Sequence, residues 1–128
     1  MVKVLRGVRG AITVESNNST MICESVVELL TSMVTANNIE TEDIGAVIFS
    51  STSDLNSAFP AVGARSLGWN EVPLFGTQEI ENPSGISKCI RVLILWNTDL
   101  PQRSIKHIYL RDAISLRQDI KEKEDANR

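Results

Sequence analysis

Apolar and polar positions alternate from Val2 to Val14, and many of the apolar ones are β-branched, which predicts a first strand. Gly7 and Gly10 interrupt it and predict a bulge or a close backbone approach. Asn17-Asn18-Ser19-Thr20 offers N-cap residues. Ile22, Val26, Leu29 and Met33 then recur at helical spacing, with Leu30 and Val34 widening the stripe. This is the one long helix, and Asn37-Asn38 ends it. Thr41-Glu42-Asp43 reads as a short capped turn. Gly45 to Ser51, with Ala46-Val47-Ile48-Phe49 at its centre, reads as a buried strand. Pro60 opens a short helix running towards Gly68. Pro73 to Gln78 is a short strand, Asn82-Pro83-Ser84-Gly85 a loop, and Lys88 to Asn97 a strong strand. Asp99 to Gln102 is another turn and Ile105 to Leu110 a further strand.

This order defines an α+β domain: a mixed sheet of about five strands packed on one long helix. One helix cannot cover a sheet that wide, so the other face or an edge is expected to pack against another subunit. Residues 1–118 read as a single domain, and 119–128 as a charged, mobile tail.

Composition narrows the class. The 128 residues make one domain, and 42% hydrophobic with 23% charged residues excludes a disordered or collagen-like chain. The longest apolar run, Val92 to Trp96, falls far short of the ~20 residues of a membrane helix, so no membrane role is expected. Arg6 and Arg9 break what could have been the apolar core of a leader, which points to the cytoplasm. Cys23 and Cys89 are unclustered and fit a reducing compartment as small buried apolar residues. A net charge of −3 argues against nucleic acid as a partner. No Lys or Arg lies between Arg9 and Arg65, and the later ones sit singly among apolar residues. Each isolated guanidinium either pairs with a nearby carboxylate or awaits a small anion.

Several chemistries drop out. The sole histidine, His107, has no G-x-S-x-G elbow before it and reads as a structural strand residue. No His, Cys and carboxylate set has metal-ligand spacing, and no Walker loop or G-x-G-x-x-G is present. Neither metal nor cofactor is expected. Arg91 stands out. On its strand Cys89, Arg91, Leu93 and Leu95 share one face, and Ile90, Val92, Ile94 and Trp96 the other. Both faces are apolar, so Arg91 projects from a surface that otherwise favours burial and needs a partner. Glu79, at the end of the preceding strand, either neutralises it within the fold or lines a pocket with it.

Arg6-Gly7-Val8-Arg9-Gly10-Ala11-Ile12-Thr13-Val14, Phe59-Pro60-Ala61, Gly68-Trp69, Gln78-Glu79, Lys88-Cys89-Ile90-Arg91-Val92, His107-Ile108-Tyr109-Leu110 and Leu116-Arg117 together resemble the AroH-type chorismate mutases, in order, from about Val2 to Asp119. The resemblance implies conversion of chorismate to prephenate by a homotrimer whose sheets form a barrel-like core with interfacial active sites. It implies that Arg9 and Tyr109 bind substrate carboxylate, that Arg91 reaches the ether oxygen and a carboxylate, and that Glu79 accepts from the ring hydroxyl. Phe59, Ala61, Leu74 and Phe75 would wall the pocket, with the Phe59 segment coming from a neighbouring subunit. Arg65 would stand near the mouth, and Leu116 and Arg117 on a closing segment.

Three positions depart from the family pattern. Gly76 replaces a cysteine that helps bind the ring hydroxyl and offers only its backbone. Val62 replaces a lysine near the mouth, and Gln118 a proline after Leu-Arg. The implied reaction is an intramolecular pericyclic rearrangement needing no nucleophile. It asks for a fixed compact conformer and a cation where negative charge grows. Two alternatives are a trimeric imine deaminase of the Rid type and a non-catalytic sensor of an aromatic-pathway metabolite.

Overall fold

The computed structural model describes residues 2–117. Strand β1 (Val4–Thr13), helix α1 (Ser19–Asn37), β2 (Ile44–Ser51), the short helix α2 (Ala61–Ser66), β3 (Leu74–Gln78), β4 (Cys89–Thr98) and β5 (Ile108–Leu110) follow in chain order. Short 3-10 segments occupy Thr41–Asp43, Gln102–Ser104 and Arg111–Arg117. The proposed tail at 119–128, and Gln118, lie outside the described residues.

The five strands form one mixed sheet in the order β3-β2-β4-β1-β5. β4 pairs antiparallel with both β1 and β2, while β3 and β5 add to the two edges in parallel. β1 and β2 therefore run in the same direction, and α1 makes the crossover between them. This is the α+β architecture expected from the hydrophobic pattern.

Local chemistry accounts for the bounds of α1. Asn18, in an extended conformation, accepts the Thr20 and Met21 N–H groups at its side chain, so two of the orphan donors of the first turn are satisfied. At the other end Asn38 adopts the left-handed conformation and donates its N–H to Val34 O. Ile22, Val26, Leu29, Leu30 and Met33 form the buried stripe and pack on the face of the sheet that carries Val8, Ile12, Val47, Phe49, Ile90, Val92 and Ile94. The two-faced reading of β4 holds: its Ile90, Val92, Ile94 and Trp96 are buried, and Arg91, Leu93 and Leu95 are not.

The glycines of β1 act by close approach and not by a bulge. The β1–β4 register runs unbroken from Val4 opposite Thr98 to Thr13 opposite Cys89. A Cβ at Gly10 would overlap Met33 Sδ and come within 3.2 Å of Leu29 Cδ1, so the missing side chain lets α1 settle on the sheet. The irregularity lies instead in β2, where the register shifts between Ile44 and Ala46. Gly63 plays a similar part between helices, because a Cβ there would stand 2.5 Å from Val26 Cγ1.

Two further expectations are corrected. β5 begins at Ile108, not Ile105. Asn37 at the end of α1 donates to Lys106 O at 2.9 Å and accepts from Lys106 N at 2.9 Å. The backbone at Lys106 is thus occupied by a side chain and cannot join the sheet. Of the two cysteines, Cys89 is buried but Cys23 only half so, with its Sγ 3.9 Å from Ser66 Oγ.

Candidate active site

Among the described residues no α-helix covers the sheet face away from α1; the last 3-10 segment packs on part of it. The sheet register sets Ser50, Arg91, Ala11 and Tyr109 side by side in one row across β2, β4, β1 and β5. The next row holds Ile48, Leu93 and Arg9. A cavity of about 330 Å³ opens there, and Arg9, Arg91, Glu79, Tyr109 and Leu116 all line it. Five of the residues singled out in the sequence thus converge, from β1, β4, the end of β3, β5 and the last 3-10 segment.

Each is held by its element. Glu79 continues the parallel ladder one residue beyond β3, donating its N–H to Ser51 O at 2.9 Å. Its Oε2 accepts from Ser50 Oγ at 2.8 Å and meets Arg91 Nε at 3.3 Å. Arg91 and Glu79 therefore pair and line a cavity at once, which joins the two readings the sequence left open. Among the described residues neither Nη group of Arg91 forms a hydrogen bond, and the guanidinium of Arg9 and the phenol of Tyr109 have no hydrogen-bond partner. Ser50 escaped the sequence reading. Its signal was its place two residues after Ile48 on β2, which puts both on the open face.

The C-terminal segment is fixed against the same face. Ala11, Cys89 and Ala113 form a second small buried cluster, with Tyr109, Ile86 and Leu116 packed against it. Burial pushes the Cys89 thiol up from 9.0 to about 11, an effect that nearby Arg91 partly offsets. Arg111, with φ 55°, turns the chain out of β5. Its Nη1 donates to Thr13 O at 3.1 Å and Ser25 Oγ at 3.2 Å, and Asp112 N donates to Thr13 Oγ1 at 3.2 Å. This clamp aims Leu116 at the cavity. Arg117 is half-buried beside it.

The remaining candidate residues lie elsewhere on this chain. Phe59, 79% exposed, lines a separate cavity of about 550 Å³ with Gly76 and Pro60. Phe75 is 65% exposed on the edge strand, and a Cβ at Gly76 would meet nothing within 4 Å. Leu74 packs partly on the main core, and Ala61 is buried in it. Arg65 is exposed on α2, as is Val62. Among the described residues no group of three or more His, Cys, Asp or Glu could hold a metal ion, and no helix is long and apolar enough to cross a membrane.

Two guanidiniums, one of them paired with a held carboxylate, and a phenol stand around a cleft on an apolar sheet, donor groups of the kind that suit a small organic anion. The model for chorismate mutase type I matches residues 5–120. A chorismate mutase AroH from Thermus thermophilus is 48% identical over 118 residues, covering 91% of this chain and 97% of the relative. One from Bacillus subtilis (strain 168) is 39% identical over 118 residues, covering 91% and 93%. A solved chorismate mutase from Clostridium thermocellum superposes with a TM-score of 0.85 at 41% identity, covering 86% of this chain and 98% of that one. The chain belongs to the chorismate mutase type I family. These relatives favour that reading over an imine deaminase.

Proposed function

We propose that the protein rearranges chorismate to prephenate in cavities completed between the subunits of a homotrimer. The observation that carries this is the convergence of Arg9, Arg91, Glu79, Tyr109 and Leu116 on one cavity of the open sheet face. The reaction breaks an ether C–O bond and forms a C–C bond within one molecule, so no nucleophile or proton carrier is required. Arg9 and Tyr109 hold substrate carboxylate and keep the flexible substrate in its compact conformer, which is a positioning effect. Arg91 uses its Nη groups, with Nε held by Glu79, to meet the charge growing on the ether oxygen. Glu79 Oε2, already steadied by Ser50, accepts from the ring hydroxyl. A million-fold acceleration needs about 8 kcal/mol of transition-state stabilisation, of which one preorganised donor can supply about 3–4 kcal/mol.

What one chain leaves unfinished supports the trimer. Leu5, Phe75, Ala46, Ile48, Leu93 and Leu95 leave an apolar face that no helix among the described residues covers. Phe59 and Gly76 line a different cavity from Arg91, as expected if a neighbour's Phe59 segment closes the site. By the family resemblance Ala61, Leu74 and Phe75 are assigned to the pocket wall and Arg65 to its mouth, though none of them lines the Phe59 cavity of one chain, and Leu116 with Arg117 to the closing segment. In this proposal residues 1–118 form one domain working in the cytoplasm without cofactor.

The test mixes purified protein with chorismate and follows the fall in ultraviolet absorbance, with prephenate confirmed by acid conversion to phenylpyruvate. Light scattering should give three times the chain mass. Binding without turnover would convert the assignment to a metabolite sensor, and a fully active monomer would overturn the interfacial site.

A further inference from the structure

We propose that His107 is a positioning residue for Arg9, gripping its backbone through Nδ1 so that the Arg9 guanidinium stands ready for substrate carboxylate. The inference rests on the function proposed above. β5 pairs with β1 in parallel from Gly10 opposite Ile108 to Ile12 opposite Leu110. One step earlier the register brings His107 opposite Arg9, but no strand pairing exists there, because Asn37 occupies both backbone groups of Lys106. The imidazole takes the place of the missing ladder partner: Arg9 N–H donates to His107 Nδ1 at 2.9 Å. Arg9 is exposed, so the bond acts chiefly by position, holding the backbone of β1 to the ring at a defined distance. The bond therefore fixes β1 at the residue whose side chain lines the cavity.

The bond requires an unprotonated Nδ1, and the surroundings keep it so. Burial lowers the His107 pKa below its ordinary 6.5, and the Arg9 and Arg117 cations lower it further. Arg6 of β1 lines the same small cavity as the ring, and Lys106 adjoins it in the chain. On the neighbouring elements Arg111 is paired with Glu28 of α1, and Asp112 follows it. The neutral imidazole is thus the resting form near neutrality. Only at acid pH does a proton on Nδ1 displace the Arg9 N–H, and Arg9 then loses its anchor.

Three measurements test this on the full-length protein with chorismate. In amide NMR the Arg9 N–H resonance should titrate together with the His107 ring. His107→Ala should raise KM by about tenfold with kcat changed far less, as expected from one lost hydrogen bond behind a binding group. His107→Asn, whose Oδ1 can accept where Nδ1 did and does not titrate, should recover most of that loss. It should also abolish the rise in KM expected of the unaltered protein at acid pH, once His107, its pKa lowered from 6.5, takes up a proton. An Arg9 amide that ignores the ring titration, an unchanged KM in His107→Ala, or equal damage in both variants with early melting would overturn the proposal. If His107→Ala does not fold, His107→Asn and the NMR titration still decide. An unaltered protein inert towards chorismate would sink the proposed function instead, and the NMR arm would still report on the Arg9 anchor.

Discussion

Replacing Arg91 with lysine separates the observed pairing with Glu79 from the catalytic role proposed for the same side chain. Arg91 Nε lies 3.3 Å from Glu79 Oε2, with the two side chains 44% and 29% exposed. A pair so open to water contributes about 0–1 kcal/mol to stability. Lysine keeps the charge and so preserves part of even that. If neutralising Glu79 were the whole role, the variant would melt within a few degrees of the parent and turn over normally. The catalytic role carries a larger magnitude. Removing a preorganised donor from a developing oxyanion costs about 10²–10³-fold in kcat, or roughly 2.7–4 kcal/mol. Lysine loses the planar fork that lets Nε hold Glu79 while the Nη groups reach the substrate. The expected outcome is a collapse of kcat by at least about a hundredfold, a smaller rise in KM, and a near-normal melting curve. The assay is kcat and KM on chorismate beside thermal unfolding. A variant that turns over normally per folded molecule, whatever its melting temperature, would refute the reasoning and leave Arg91 a structural cation.

Gly63→Ala should lower Tm by several degrees without altering KM, because its Cβ would stand 2.5 Å from Val26 Cγ1 and 3.1 Å from Cys23 O, an overpacking that costs about 1–3 kcal/mol. Ending the chain after Ala113 keeps that buried residue but removes Leu116 and Arg117. It should raise KM for chorismate by about tenfold while the protein stays folded, since closing segments govern substrate capture. A thiol reagent near pH 8 should modify Cys23 well before Cys89, which is buried with its pKa pushed up to about 11. Because that pKa is raised from 9.0 on folding, the stability linked to the Cys89 thiol is complete below pH 9 and is lost as pH climbs towards 11. Denaturant midpoints across that range, compared with Cys89→Ala, would show it.

Local pattern alone determined a good deal. The bounds of α1 follow from Asn18 and Asn38, whose side chain and backbone serve the helix ends within one turn. That Arg91 shares a face with Leu93 and Leu95, opposite Ile90, Val92, Ile94 and Trp96, follows from the two-residue period of a strand; which of the two faces meets α1 does not. The pairing of Arg91 with Glu79 was legible because Glu79 stands at the end of the preceding strand. What required the tertiary structure depends on partners far apart in sequence. The register shift in β2 exists only relative to β4, and only the packing of α1 decided that the β1 glycines mark a close approach rather than a bulge. Ser50 reaches Glu79 across 29 positions. β5 starts late because Asn37, 69 positions earlier, takes the Lys106 backbone. His107 serves Arg9 from 98 positions away. Periodicity encodes which face a side chain takes, because that is set by the backbone of its own element. Register, and the replacement of a ladder partner by a side chain, are set only when separate elements pack, and no local signal in the chain records them.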